Sequence, residues 1–325
     1  MITQSPGAEK NPAPLLQAEP NGVPHICVCI CTYRRPELLT RLLARLPELQ
    51  RGAGLFTVSC VVIDNDENGS AAAVVSSFQN SGKLEISYQR EPERNFASVR
   101  NRAVRAAGGN YIAFIDDDEI PEREWLLQLL ETCRRHDCAG ALGPVRPYFD
   151  ERPPRWLEKS KLCDRPVHLT GMILDWQQTR TGNVLLRRDI FEPGGIWFDP
   201  VYRTGGEDVD FFKRAIASGR KFVWCEEAPA YELVPLERMR LAYHLRRALL
   251  QGAISLKYGL GQNRLADRVQ VGLKSFLALV IYTLALPFLL LGGFRPFIHC
   301  LVKWCHHLGR FSALCGRPVL RERKL

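Results

Sequence analysis

One stretch constrains the fold of this chain more than any other: Gly109-Asn110-Tyr111-Ile112-Ala113-Phe114-Ile115-Asp116-Asp117-Asp118-Glu119-Ile120-Pro121. Residues 111–115 have the length and residue types of a buried strand, and the run ends in four consecutive acids. Carboxylates gathered at one strand end repel one another, so a fold that collects them must supply a counter-charge. A divalent cation with oxygen ligands is the direct candidate. In open α/β sheets, ligands gather at the carboxyl ends of strands, where this cluster falls. The competing reading is a solvated acidic turn before a helix, because Asp and Glu favour helix N-termini.

The segments before the cluster alternate in type. His25-Ile26-Cys27-Val28-Cys29-Ile30-Cys31 reads as a buried strand, followed by Thr32-Tyr33-Arg34-Arg35-Pro36. Pro36 suits a first helical turn, and Leu38, Leu39, Leu42, Leu43 and Leu46 recur at helical spacing. A second strand over residues 56–63 ends in Asp64-Asn65-Asp66. After a further strand through Ile86-Ser87-Tyr88, an amphipathic helix runs from Asn95 to Ala107, and Gly108-Gly109 stops it. The β-α-β-α-β order predicts an α/β fold with a mostly parallel sheet wound with helices. Asp64 and Asp116–Asp118 then stand at two strand ends of one pocket. An Asp after the second strand commonly accepts hydrogen bonds from a base or ribose; it serves equally as a turn former.

Beyond the cluster, a helix is expected over residues 125–135 and a short strand near 139–142. Residues 146–170 are expected to be irregular, broken by Pro147, Pro153, Pro154 and Pro166. Thr181-Gly182-Asn183 precedes a strand over 184–188. Gly205-Gly206-Glu207-Asp208-Val209-Asp210 then opens an amphipathic helix. Its Glu-Asp pair is either an N-terminal charge pair or, beneath a cleft, the place for a general base.

Charge divides the chain. Residues 271–325 hold eight Lys and Arg against Glu322, which accounts for +7 of the net +9 and leaves +2 for the first 270 residues. A nucleic-acid binder would carry its basic stripe on the folded body. A basic tail beside an apolar segment points instead to an anionic membrane surface. The uncharged run over 275–294 is 20 residues, long enough to span a bilayer, with Pro287 inside it. Lys and Arg flank it on both sides, so a re-entrant hairpin or a return pass over 297–314 fits better than a single crossing. The helical pattern before it, residues 236–258, is basic and amphipathic. Eleven cysteines without a Cys-x-x-Cys pair make neither a disulfide framework nor a zinc site, and Cys27, Cys29 and Cys31 share one strand face as apolar filler. With no apolar h-region in residues 1–24, a reducing, cytoplasmic setting is expected. The expected organisation is a disordered leader (1–24), an α/β body (25–235) and a basic, membrane-associating helical region (236–325).

The constellation resembles a family 2 glycosyltransferase with the GT-A fold. The resemblance rests on Cys31-Thr32-Tyr33-Arg34-Arg35, Val62-Ile63-Asp64-Asn65, Ser98-Val99-Arg100-Asn101-Arg102-Ala103, Ala113-Phe114-Ile115-Asp116-Asp117-Asp118, Thr181-Gly182-Asn183 and Gly206-Glu207-Asp208. It spans about residues 25–230, and the Glu-Asp motif with the apolar C-terminal segment further resembles bacterial exopolysaccharide glycosyltransferases of the succinoglycan type. The resemblance implies transfer of a sugar, with inversion, from a nucleoside-diphosphate sugar such as a UDP-sugar. The implied acceptor is a glycan, for example one linked to polyprenyl diphosphate, at the cytoplasmic face of a bacterial inner membrane. Thr32, Arg34, Asp64, Arg100, Asp116 and Asp117 would bind the nucleotide sugar, and Asp118 would ligate Mn2+ or Mg2+. Asp208 would be the base, with Asn183 and Glu207 on the acceptor. The Gln-x-x-Arg-Trp motif of processive synthases is missing, which implies one sugar per encounter. Two other readings compete: a haloacid-dehalogenase-like phosphatase with Asp116 as nucleophile and Asp118 as acid, and a non-catalytic sugar-nucleotide scaffold at the membrane.

Overall fold

The computed structural model describes residues 22–203, 205–259 and 265–316. All but the last three residues of the expected leader lie outside the described residues. The first half of the chain contributes β1 (His25–Thr32), α1 (Pro36–Arg45), β2 (Thr57–Asp64), α2 (Ala72–Asn80), β3 (Glu85–Arg90), α3 (Phe96–Ala106), β4 (Tyr111–Phe114), β5 (Glu119–Pro121), α4 (Trp125–Arg135), β6 (Gly140–Leu142), β7 (Val145–Tyr148) and α5 (Arg155–Ser160). The second half adds β8 (Val184–Arg187), α6 (Glu207–Ala217), β9 (Phe222–Trp224), β10 (Ala230–Leu233), α7 (Leu241–Gly259), α8 (Leu265–Leu291) and α9 (Phe294–Leu314).

The main sheet has the order β3-β2-β1-β4-β8-β6-β9. β1 lies parallel to β2 and β4, β2 to β3, and β6 to β9; β8 alone runs against its neighbours. Each strand alternates its side chains between two apolar layers. Ile26, Val28 and Ile30 pack with Leu39, Leu42 and Leu43 of α1 and Leu126 and Leu129 of α4. Cys27 and Cys29 pack on the other side with α3 and with Phe211 and Phe212 of α6, and Cys31 borders that same cluster. Both faces are covered, which is why the strands read as continuous apolar runs. The shared cysteine face is as expected, and all eleven cysteines are free thiols.

The register brings the chemistry to one edge. Thr32 pairs with Asp64 across β1 and β2, and Cys29 with Phe114 across β1 and β4. The carboxyl ends of β1, β2 and β4 are therefore neighbours. Gly109 delivers the chain into β4 at φ +82°, and a Cβ there would come within 2.6 Å of the His25 carbonyl.

The described residues up to Arg146 together with Arg165–Glu232 form one compact unit; Pro147–Asp164 and the described residues from Leu233 onward form a second. The segment expected to be irregular thus holds β7 and α5. Pro154 stands at the N-cap of α5, where a missing N–H costs nothing, so these prolines start a helix instead of excluding one. In the second unit, α8 and α9 are separate helices joined at Gly292-Gly293, and α7 starts after a turn at Leu236–Met239.

Candidate active site

The acidic run is held by polar neighbours from β1. Thr32 Oγ1 donates to Asp117 Oδ2 at 2.7 Å. Arg35, just past the end of β1, donates from Nη1 to Asp117 Oδ1 at 3.2 Å and to Asp118 Oδ2 at 3.3 Å. Burial pushes the Asp117 carboxyl up against the pull of Arg35. Burial first, and then the Asp116 and Asp117 carboxylates, push Asp118 up to about 6.

Glu119 is buried and driven well above the usual carboxylate range, by burial and then by Asp116. Its Oε1 has no hydrogen-bond partner, while Oε2 accepts from the Asp116 N–H at 3.4 Å. Glu119 pairs across strands with Glu232, which Arg165 engages in an ion pair. The Nε and Nη2 of Arg180 are buried without hydrogen-bond partners, its guanidinium lying over the Trp224 ring at 5.7 Å, and burial lowers that guanidinium to about 10. Gly182 closes against this group: a Cβ there would lie 2.9 Å from Glu119 Oε1 and 3.0 Å from Asp116 Oδ2.

This arrangement fits a divalent cation, because carboxyls forced toward protonation by burial and mutual repulsion are relieved by a fixed positive charge. Among the described residues, no three His, Cys, Asp or Glu side chains form a complete metal cage. An ion on Asp118 would draw its other ligands from a bound diphosphate and water, the usual arrangement for Mg2+ at phosphate sites.

At the end of β2, the Asp64 carboxylate is fully engaged inside the fold. Oδ1 accepts from the Asp66 N–H at 2.9 Å; Oδ2 accepts from the Ala71 N–H at 2.7 Å and the Tyr88 hydroxyl at 3.0 Å. The turn-forming role is realised here, and Asp64 shapes the loop over residues 65–71. Arg34, with φ +53°, donates from Nε and Nη2 to Asp66 Oδ1, both at 3.1 Å, and holds Asp66 below the usual carboxylate range.

The Glu-Asp motif splits into two environments. Gly206 at φ +92° opens α6. Glu207 is buried, forms an ion pair with Arg100 of α3, and leaves Oε2 without a partner. Asp208 is half-exposed; its Oδ1 accepts from the Val209 N–H at 2.8 Å, and it has no ion-pair partner among the described residues. α3 also fixes the loop leading into α6. Asn101 donates to the Phe198 carbonyl at 2.7 Å and accepts from its N–H at 3.0 Å, and Asn95 donates to the Pro200 carbonyl at 2.9 Å.

Asn183 sits at φ +54°, fully buried. It accepts from Trp125 Nε1 at 2.6 Å and donates to the Pro144 and Ala228 carbonyls at 2.9 and 2.8 Å. Its amide is therefore a structural clamp behind the site. Asn183→Ala strands three buried groups and places Ala in the left-handed region, so we expect destabilisation of about 3 kcal/mol or more. Urea denaturation checks this; a midpoint close to wild type would show that the clamp holds little.

The structure thus gathers Thr32, Asp116, Asp117 and Asp118 at one strand edge and joins Arg100 to Glu207. Glu119 stands with the acidic run as the sequence placed it, whereas sequence reasoning missed Arg35, Asp66, Arg165, Arg180 and Glu232 as members of these networks. No local signal marks Arg35: it joins the run because β1 and β4 are sheet neighbours, which puts the residues after Thr32 beside those after Phe114.

A pH dependence follows. Between the ordinary aspartate value of 3.8 and about 6, folded Asp118 keeps a proton that the unfolded chain has lost. The contribution of this cluster to the stability of the metal-free protein therefore falls as pH rises through that window, against the opposite slope of His244, His306 and His307, which burial holds below the usual imidazole value. Asp117 and Glu119 act in the same direction. Asp66, held low by Arg34, acts below the window. Thermal melts of wild type and Asp118→Asn across this range isolate the effect: wild type should lose stability relative to the variant as pH rises, and a constant difference would contradict it.

A Rossmann-like sheet with acids at the ends of β2 and β4, followed by a helix that starts with Glu-Asp, has the architecture of a GT-A glycosyltransferase. The chain belongs to glycosyl transferase family 2, whose model matches residues 27–198, more than half of its length. It is 36% identical over 242 residues to the succinoglycan biosynthesis protein ExoM of Rhizobium meliloti (strain 1021), covering 72% of this chain and 74% of that one. It is 27% identical to the chondroitin synthase of Escherichia coli over 65% of this chain, but spans only 35% of that enzyme's length.

Among solved structures, S. aureus TarS 1-349 in complex with UDP-GlcNAc aligns with a TM-score of 0.53 at 15% identity, covering 90% of this chain and 92% of that one. The mannosyltransferase PcManGT from Pyrobaculum calidifontis, in complex with GDP-Man and Mn2+, aligns at 0.54 and 17%, covering 94% and 77%. At such identities the likeness is one of fold. Family membership removes the phosphatase and scaffold readings: the protein is a glycosyltransferase.

Proposed function

We propose that this enzyme transfers a sugar from a UDP-sugar to a glycan acceptor in polysaccharide biosynthesis, with inversion and with dependence on a divalent cation. The observation that carries the reading is the contrast between the two acidic motifs. One is a cluster of carboxyls short of positive charge; the other presents a single half-exposed carboxylate, Asp208, beside a neighbour already committed to Arg100.

Asp118 would hold Mn2+ or Mg2+, which supplies Lewis-acid stabilisation of the departing diphosphate when bound. Thr32 and Arg35 fix Asp117, and through it the carboxyl-rich edge against which the ribose and diphosphate would lie. Arg34 would face the nucleotide from its place on Asp66, and Asp64 would act through the loop it closes. Asp116 would line the donor sugar side next to Gly182.

Asp208 accepts the proton of the acceptor hydroxyl. That oxygen bonds to the anomeric carbon from the face opposite the diphosphate, and the breaking bond's electron pair leaves on the diphosphate oxygen. One displacement needs one base and inverts the centre. Glu207 and Asn183 would serve the acceptor side by holding its walls, Glu207 through Arg100 and Asn183 through the clamp on Trp125. Arg100 would serve the donor side from the same ion pair. Helix α8 would bring the enzyme to the cytoplasmic face of the membrane, where a polyprenyl-diphosphate-linked acceptor would reside; its residues 267–291 are long and apolar enough to cross one.

Calorimetric titration with UDP, with and without Mn2+, followed by transfer assays and NMR of the product's anomeric configuration, tests the reading. Metal-dependent UDP binding and an inverted product are expected. A retained configuration would sink the single-displacement mechanism, and a folded sample indifferent to UDP would move the donor to GDP or dTDP sugars.

A further inference from the structure

The reading that α8 contacts a membrane leaves its orientation open, and the packing of the second unit bears on it. From Ser275 to its end, α8 carries no charge, and it exposes a stripe of Leu277, Ile281, Leu284, Phe288 and Leu291. A contiguous apolar stripe of this size on a surface helix marks a binding face.

α9 packs along the other side of α8 through a few contacts that leave most of the helix surface open. Leu314 Cδ1 lies 3.7 Å from the Cβ position of Gly272, the Phe276 and Phe311 rings are 6.1 Å apart, and Trp304 Nε1 donates to Thr283 Oγ1 at 2.9 Å. α9 is in turn clamped to α7 backbone to backbone. A Cβ on Gly252 would come within 2.0 Å of the His306 carbonyl, and one on Gly309 within 2.0 Å of the Leu249 carbonyl. His299 Nε2 further bonds to the Ser160 carbonyl of α5 at 2.7 Å. α8 therefore cannot cross a bilayer by itself. It would carry in α9, with Lys303 beside the Trp304–Thr283 contact at the middle of the uncharged run and Arg310 beside the Phe311–Phe276 contact at its start, and behind α9 the Arg246 and Arg247 of α7. Charges at the bilayer centre are costly unless they line a cavity or pair with one another.

We infer that α8 is a monotopic helix lying in the plane of an anionic leaflet, its Leu277–Leu291 stripe in the acyl boundary and α9 behind it as a cationic backing. The choice of lipid as occupant rests on charge: α9 contains no acid, α8 only Asp267, and exposed Arg268, Lys274, Arg295 and Lys303 flank the stripe. Basic residues around an in-plane apolar face match anionic headgroups. This inference rests on the membrane reading above and fixes the geometry of the attachment.

The test uses the full chain with exposed Cys315 changed to Ser, and single cysteines at Leu277, Leu284 or Leu291 labelled with bimane; the unsubstituted background is the blank. Each is bound to phosphatidylcholine–phosphatidylglycerol vesicles carrying nitroxides at shallow or deep acyl positions. In-plane seating predicts shallow-to-deep quenching ratios equal within about twofold at the three sites, because all sit at one depth. A ratio that drops several-fold at Leu284 alone, with shallow ends, means a crossing helix and overturns the inference while keeping the membrane reading. Failure of the wild-type chain to float with the vesicles overturns the membrane reading itself. A vesicle-indifferent dimer with shielded labels would assign the stripe to a second copy, and equal binding to pure phosphatidylcholine would overturn the anionic preference.

Discussion

Asp208→Asn is expected to lower kcat by about 10^2- to 10^4-fold, the range a positioned general base contributes, with UDP affinity unchanged. The amide keeps the shape and can still accept from the Val209 N–H, so the local turn survives. α6 is held by other means: Phe211 and Phe212 are buried in the core, and Asp210 accepts from Arg214 Nε at 2.8 Å. What the variant loses is a basic oxygen for the acceptor proton. Glu207 cannot replace it, because that carboxylate is buried and committed to Arg100. Glu207→Gln should behave differently, leaving the part-buried Arg100 guanidinium without its counter-charge and costing stability before chemistry. Steady-state rates, UDP calorimetry and thermal melts on the two variants separate these effects. Asp208→Asn with wild-type kcat would remove Asp208 from the mechanism; Asp208→Asn with lost UDP affinity would place it on the donor side instead.

How much of this was legible in the sequence depends on the range of the interaction. The strands ending at Thr32, Asp64 and Phe114, and helices α1, α3, α4 and α6, follow from apolar periodicity and from local stop signals such as Gly108-Gly109. The acidic run and the Glu-Asp pair were visible because each is contiguous. Partnership was not visible. Glu207 and Asp208 are adjacent acids at one helix start, and only the position of Arg100, 107 residues away, decides which of them is neutralised and which is left open. Asp64 reads in the sequence either as a base- or ribose-binding carboxylate or as a turn former, and its partners, Tyr88 from β3 and two backbone N–H groups, were not visible there. Arg35 belongs to the site because β1 and β4 are sheet neighbours, a fact of topology. Asn183 is clamped by groups from residues 125, 144 and 228, a set that no spacing pattern joins. The prolines of residues 146–170 signalled a break but carried no information on whether a helix begins after it.

Asp118→Ala should abolish the Mn2+-dependent part of UDP binding, a loss of at least about 100-fold, while leaving the metal-free protein equally or more heat-stable. The pairing of these two outcomes is the informative part. A carboxyl that serves the fold costs stability when removed. Asp118 is pushed up to about 6 by burial and by Asp116 and Asp117, so its charge opposes the fold at neutral pH. Its hydrogen bond to Arg35 is long, at 3.3 Å, and Arg35 is half-exposed, so little stability is lost with it. Asp117→Ala is the contrast: that side chain is buried and accepts from both Thr32, at 2.7 Å, and Arg35, so its removal should lower the melting temperature. Calorimetry with UDP at fixed Mn2+, together with melts in chelator, reads both quantities on each variant. If Asp118→Ala binds UDP with wild-type metal dependence, the ion sits elsewhere in the acidic run. If it melts well below wild type in chelator, Asp118 is a structural carboxyl, and the charge excess at the end of β4 is balanced by groups other than a metal.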